Sequence, residues 1–218
     1  MRSHPFLLYN FQVYMLKDSF TDIISQYAGA DTAGKFWREI ESHYNNKKRR
    51  YHNINHLQHM LQQLTLVKHL VTDWNSIVSA TCYHDIVYKV TRRNNEEKST
   101  AIATERLASI HYPATGLQLC TAAILATKLH EPTTVQDINL FTDADLSILG
   151  APPDVYKQYA TGIRKEYALY PDFLYKPGRK KVLQRFLDMP FIFKTKEFQS
   201  LYETQARQNI QQELDKLQ

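Results

Sequence analysis

At 218 residues, the chain is long enough to bury a substantial core without disulfides or a structural metal, and one domain is expected. Hydrophobic residues make up 43% and charged residues 22%, a globular balance, and 6 Gly with 8 Pro leave little room for long loops or many tight hairpins. The net charge of +5 is compatible with an anionic ligand, but the basic residues are spread along the chain apart from KKRR at 47–50, and no zinc-finger, RNP-type or basic-heptad pattern supports a nucleic-acid partner.

The N-terminal stretch MRSHPFLLYNFQVYMLKDSF is apolar but interrupted by Asn10, Gln12 and Lys17, and it lacks a small-residue cleavage site. No run reaches transmembrane length, so a cytoplasmic protein with no membrane partner is expected. Apolar spacing predicts helices over about 6–27, 32–45, 54–71, 74–89, 95–111, 115–129, 135–149, 152–169, 178–188 and 197–217. Asp31 and Asp73 are expected to cap the helices that follow them, Pro152-Pro153 begins another, and Gly150 fits a C-cap. Cys82 and Cys120 both sit within apolar helical patterns, as buried thiols of a reducing compartment do. With no internal repeat, low-complexity tract or linker, the expected fold class is all-α, a single helical domain over 1–218.

Chemistry enters where ionisable residues interrupt these apolar faces. ATCYHDIVY, from Ala80 to Tyr88, carries the adjacent pair His84 and Asp85. A buried His or Asp must be hydrogen-bonded, paired or metal-bound, because an uncompensated charge is expelled or neutralised. Partners exist upstream in RRYHNINHL, where His52 and His56 lie four residues apart, on one face of a helix or its entering turn. Downstream, FTDADLSILG offers Asp143 and Asp145, which point to different sides of a helix, so one of them is the expected ligand. Imidazole nitrogen with carboxylate oxygen suits Mn, Mg, Co, Ni, Zn or Fe, and all-helical metal sites are built by separate helices converging on an ion.

The order H, then HD, then D resembles the signature of the HD superfamily of helical metal-dependent phosphohydrolases, and YHNINH, YHDIVY and DADLS resemble the versions in cyclic-nucleotide phosphodiesterases. Over a wider span, RRYHNINHL, YHDIVYKVTRRNNEEKST, ATKLH, FTDADLSILG, IRKEY, GRKKVLQRFL and ETQARQNIQQEL are similar to the metal-dependent HD phosphohydrolases, a mostly uncharacterised bacterial family. That resemblance runs from about Arg49 to Leu214 and implies an HD-type bundle, with its metal-site core over about 49–150 and C-terminal helices over 152–217 packing on it.

The same resemblance implies His56, His84, Asp85 and Asp145 as metal ligands, with Asp145 preferred over Asp143 because ADLS is the form in which the last aspartate appears in the phosphodiesterases. His52 resembles the histidine that protonates the leaving oxygen there, and Asp85 doubles as ligand and base. An acidic residue after the HD helix orients water in related enzymes. Glu96 or Glu97 is expected in that part, with Glu96 preferred because Asn94 and Glu97 have the spacing of a capping box. His130 is expected at a second ion or in contact with substrate. Arg49 and Arg50, beside Lys48, are placed to hold phosphate oxygens.

The implied function is hydrolysis of a phosphate ester, of a nucleotide or another small phosphorylated metabolite, with one divalent ion or two. A di-iron oxygenase on the same scaffold and a non-catalytic nucleotide-binding protein are the alternatives. Metal dependence separates the first from a hydrolase, since an oxygenase needs redox iron.

Overall fold

The computed structural model describes residues 16–217, and its architecture is an all-helical bundle with no strand among them. The helices run in chain order as α1 (Leu16–Tyr44), α2 (Ile54–Leu66), α3 (Trp74–Tyr83), α4 (Asn95–Ser109), α5 (Ala114–Ala126), α6 (Gln136–Leu146), α7 (Pro153–Glu166), α8 (Asp172–Asp188) and α9 (Lys196–Lys216). Short 3-10 turns follow α2 at Lys68–Leu70 and α6 at Ser147–Gly150. Phe20, Tyr44, Tyr83, Phe141, Phe193 and Phe198 are among the large side chains wholly inside. No described helix is long and apolar enough to cross a membrane.

Several expected boundaries need physical correction. The two expected N-terminal helices are both present within α1 and meet at a break at Gly29, whose φ of 73° is one that a side chain disfavours. Asp31 lies just after that break, at the start of the second helix, but its side chain makes no capping hydrogen bond. The part of the first expected helix before residue 16 lies outside the described residues. α8 begins at Asp172 rather than at 178, and it accommodates Pro177 inside its second turn. The missing donor of Pro177 costs one hydrogen bond near the start of the helix, where Phe173 is exposed. Asp73 does cap α3 through the amide of Ser76, and Pro153 opens α7.

α3 stops at Tyr83, six residues short of the expected helix, and the reason lies in its own side chains. The imidazole Nδ1 of His84 takes the Thr81 carbonyl at 3.0 Å, while the Asp85 amide turns to donate to the Tyr44 hydroxyl at 3.0 Å. The carbonyls freed at this helix end are satisfied from outside: Arg49 donates to Asp85 O at 2.6 Å and to Ile86 O at 2.9 Å, and also to His52 O at 3.2 Å. His43 Nδ1 adds a contact to Ile86 O. The HD pair thus sits on a pinned turn at the mouth of the bundle.

α2, α3 and α6 pack on one another, and α9 packs along the Ser147–Gly150 turn. Gly150 serves that approach rather than a left-handed cap, because a Cβ there would lie 2.5 Å from Tyr202 Cβ and 2.7 Å from its carbonyl oxygen. Gly150→Ala is expected to cost about 1–3 kcal/mol of stability through overpacking, measured by urea unfolding. Gly178→Ala, in α8 with nothing within 4 Å of the added carbon, is expected to be neutral or to stabilise by up to about 1 kcal/mol.

Candidate metal and catalytic site

Three helices deliver the cluster. His56 projects from the first turn of α2, His84 caps α3 and Asp145 lies in the last turn of α6. Ligand atoms of these three residues all lie within 4.8 Å of one another. The Nε2 atoms of His56 and His84 are 3.3 Å apart, and Asp145 Oδ1 is 3.1 Å from His56 Nε2. Asp85 lies at the edge of this group, with Oδ2 at 3.4 Å from His84 Nε2. Donors bonded to one ion at about 2.0–2.2 Å sit roughly 3.0–3.6 Å from their neighbours, so the gaps of 3.1, 3.3 and 3.4 Å suit a shared cation, within a group that spans up to 4.8 Å.

The donor chemistry fits as well. Because His84 Nδ1 is held by the Thr81 carbonyl, its proton resides there and the Nε2 lone pair faces the cluster, the tautomer a metal-ligating histidine adopts. Two buried Nε2 atoms facing each other at hydrogen-bond distance need a proton or a cation between them. Without a cation, the proton is held tightly: burial lowers the His84 pKa, but Asp85 and Asp145 outweigh it and keep the imidazole up at about 9. His56 is pushed down, chiefly by burial. Burial works to raise Asp85 and Asp145, yet their histidine neighbours hold both carboxylates below the usual range. The site is built to balance positive charge.

His130, expected at a second ion or at substrate, contacts the other oxygen of Asp145, with Nε2 at 2.8 Å from Oδ2. It reaches that position from the turn after α5 with a φ of 51°, an uncommon backbone state for a histidine. Asp145 is thereby clamped between two imidazoles, and its orientation is fixed.

Asp143, two residues away, has a different task. It is fully buried and accepts from the amides of Lys194 and Thr195 at 2.8 Å each and from the Thr195 hydroxyl at 2.7 Å, which ties the start of α9 to α6. Burial raises its pKa despite these donors and the Lys194 ammonium. The two aspartates thus differ in their neighbours, and the group that could hold a metal ion contains Asp145.

His52 stands beside the cluster, with Nε2 at 4.0 Å from Asp85 Oδ2. What holds it there was not anticipated from the sequence. Glu166, the last residue of α7, receives His52 Nδ1 at 2.7 Å on Oε2, and its Oε1 accepts the amides of Arg50, Tyr51 and His52 at 2.7, 2.8 and 3.0 Å. Tyr88 stacks on the His52 ring with centroids 4.2 Å apart and donates its hydroxyl to Glu166 Oε2. Burial alone would lower the His52 pKa, but the Glu166 bond and the charges of Asp85, Glu166 and Asp145 together outweigh it and the net direction is up. Glu166 itself is held at about 2, since His52 and the backbone amides outweigh its desolvation. IRKEY appears in the sequence, yet nothing in its spacing joins it to a histidine more than a hundred residues earlier.

The remaining expected residues make no side-chain to side-chain hydrogen bond or ion pair with the cluster. The Arg49 guanidinium is committed to the backbone carbonyls described above and packs over the Tyr44 ring at 4.6 Å, so it braces the HD turn rather than facing a phosphate. Arg50 is exposed and offers its amide to Glu166, with no side-chain hydrogen bond among the described residues. Glu96, partly exposed in the first turn of α4, makes no hydrogen bond or ion pair with a site histidine or aspartate. The expected capping box is not formed, since Asn94 makes no side-chain cap. Asn95 instead bonds the backbone of Lys89, and Glu97 pairs with Lys128. Cys82 and Cys120 are free and buried.

Comparison of the chain with protein-family models, with curated proteins and with solved structures finds no match. The division of labour between the two aspartates is directly measurable. Asp143→Ala should cost roughly 3–5 kcal/mol in urea unfolding, as breaking a buried pair does. Asp145→Ala should leave unfolding much closer to the parent while calorimetric Mn²⁺ affinity falls by more than the roughly 10–100-fold typical of outer-shell changes.

Proposed function

We propose that the chain is an HD-type metal-dependent phosphohydrolase that cleaves the phosphate ester of a small phosphorylated metabolite. The observation that carries this reading is the joining of two units at one mouth: a group of two buried imidazoles and a carboxylate within 4.8 Å, and beside it a histidine braced by a carboxylate. His56, His84 and Asp145, with Asp85 next to them, would hold a divalent ion. Such an ion, when bound, supplies Lewis acidity at a phosphoryl oxygen and acidity to water near neutral pH.

The chain's own residues account for the rest. Asp85, on its pinned turn, accepts the proton of the attacking water. The new bond joins water oxygen to phosphorus, and the bond from phosphorus to the ester oxygen breaks. His52 gives that oxygen its proton from Nε2, the nitrogen left free because Nδ1 is taken by Glu166. Glu166 keeps the imidazole oriented and protonated until then, as a positioning residue. His130 keeps Asp145 aligned through its second oxygen. Arg50, exposed beside His52, supplies a guanidinium to the phosphate oxygens from solvent.

Purified protein stripped with chelator and reloaded with Mn²⁺ should hydrolyse at least one member of a panel of phosphomonoesters and phosphodiesters, with activity lost on chelation and regained on reloading. His52→Asn is expected to lower kcat by about 10²–10⁴-fold, the share of a general acid. Glu166→Gln should lower kcat less, with KM nearly unchanged and the pH profile displaced. Equal turnover by the parent and by Asp85→Ala would place the activity elsewhere.

A further inference from the structure

A cavity of about 430 Å³ opens against His52, between the segment after α3 and helices α7 and α8. Its wall is aromatic. Tyr88, Tyr159, Tyr167, Tyr170 and Tyr175 all line it. Tyr167 lies with its ring centroid 6.0 Å from that of Tyr170 and 5.9 Å from that of Tyr175, so the rings form one continuous surface. Ile163, Leu174 and Val182 complete its apolar edge. A volume in the hundreds of cubic ångströms, mostly apolar and with few polar groups, is the form small-molecule sites take.

The cavity is also nearly without free charge. Arg179 is its only Lys or Arg among the described residues, and Glu213 engages that guanidinium at two points, 2.8 and 3.0 Å, with Tyr159 Oη at 3.4 Å from a third nitrogen. A phosphate inside would find no cation to pair with except His52, and an unpaired buried charge is strongly disfavoured. A flat ring, by contrast, meets the ring edges and open faces of this wall, one face of Tyr88, Tyr159 and Tyr175 being covered by His52, Arg179 and Arg164.

We infer that this cavity receives the organic group of the ester, and that this group is a planar aromatic ring system carried on a single phosphoryl group. The inference rests on the phosphohydrolase reading for the chemistry at His52, while the preference for a ring is a property of the cavity and is readable in binding alone. A nucleobase and a simple aryl group share the chemistry that the tyrosines recognise.

The test uses full-length Mn²⁺-loaded protein with adenosine 5′-monophosphate, 4-nitrophenyl phosphate, ribose 5-phosphate and adenosine 5′-triphosphate as substrates. Adenosine, 4-nitrophenol and ribose serve as binding probes. At least one aromatic monoester should exceed ribose 5-phosphate in kcat/KM by roughly 10–100-fold, the scale of stacking on one or two rings, and the triphosphate should fall below the monophosphate. Which aromatic ester leads tells a nucleobase from an aryl group. Gly178→Leu grows a side chain at the cavity wall where nothing stands within 4 Å of the added carbon, and Tyr170→Ala removes a half-exposed ring from the rim. Both should erase most of the aromatic preference, read as the ratio of kcat/KM for the aromatic ester to that for ribose 5-phosphate within each variant. Equal turnover of the aromatic and sugar esters, or a preference that survives both variants, would overturn the inference and leave the hydrolase reading standing. If no ester is cleaved, the hydrolase reading falls instead. The cavity is then decided by titration: saturable binding of adenosine or 4-nitrophenol, but not ribose, weakened by both variants, supports the inference, and its absence ends it.

Discussion

Two imidazole Nε2 atoms held 3.3 Å apart inside a helical bundle, with a carboxylate 3.1 Å from one of them, are a constraint that the rest of the molecule must satisfy. Neutral lone pairs at that distance repel, and buried carboxylates without compensation are costly. A proton or a cation must sit among them. Every neighbouring contact favours positive charge at that point: the Thr81 carbonyl fixes the His84 tautomer, His130 turns Asp145, and Asp85 stands by His84.

The architecture meets the constraint at helix ends rather than along helix faces. α2 begins, α3 ends and α6 ends where their ligands are presented, so the donors protrude past the regular backbone. Ends leave amides and carbonyls unpaired, and buried side chains close them. Arg49 serves the carbonyls after α3. Carboxylates serve the amides in pairs or threes: Asp137 those of Thr72 and Asp73, Asp143 those of Lys194 and Thr195, Glu203 those of Ile192 and Phe193, and Glu166 those of Arg50 to His52. Glu166 alone of these also orients a histidine of the site, which makes one side chain both a loop anchor and a part of the proton path.

This double use of acids explains which features the sequence made legible. Helices appear in the apolar period, and the convergence of His56, His84 and Asp145 follows from their order on separate amphipathic segments. The end of α3 at Tyr83 does not appear, because it depends on His84 taking the carbonyl of Thr81 and on Tyr44 meeting the Asp85 amide, a contact forty-one residues away in sequence. Arg49 reads like a phosphate ligand beside Arg50 until the carbonyls it must satisfy are known. Asp143 and Asp145 are chemically identical in the sequence, where only the resemblance of ADLS favours Asp145, and what α9 and α5 bring to them gives each its own surroundings. Glu166 lacks any local pattern, since its partners arrive from the far end of the chain. Long-range pairing of polar groups, more than propensity, is what the one-dimensional pattern withholds.

Anomalous diffraction from crystals of the full chain grown with Mn²⁺ tests the central claim most directly. The account predicts a strong peak within about 2.0–2.3 Å of His56 Nε2, His84 Nε2 and an Asp145 oxygen, the range of such bonds, with Asp85 turned toward it. A peak elsewhere, or a proton-bridged histidine pair that persists in saturating Mn²⁺, would contradict it.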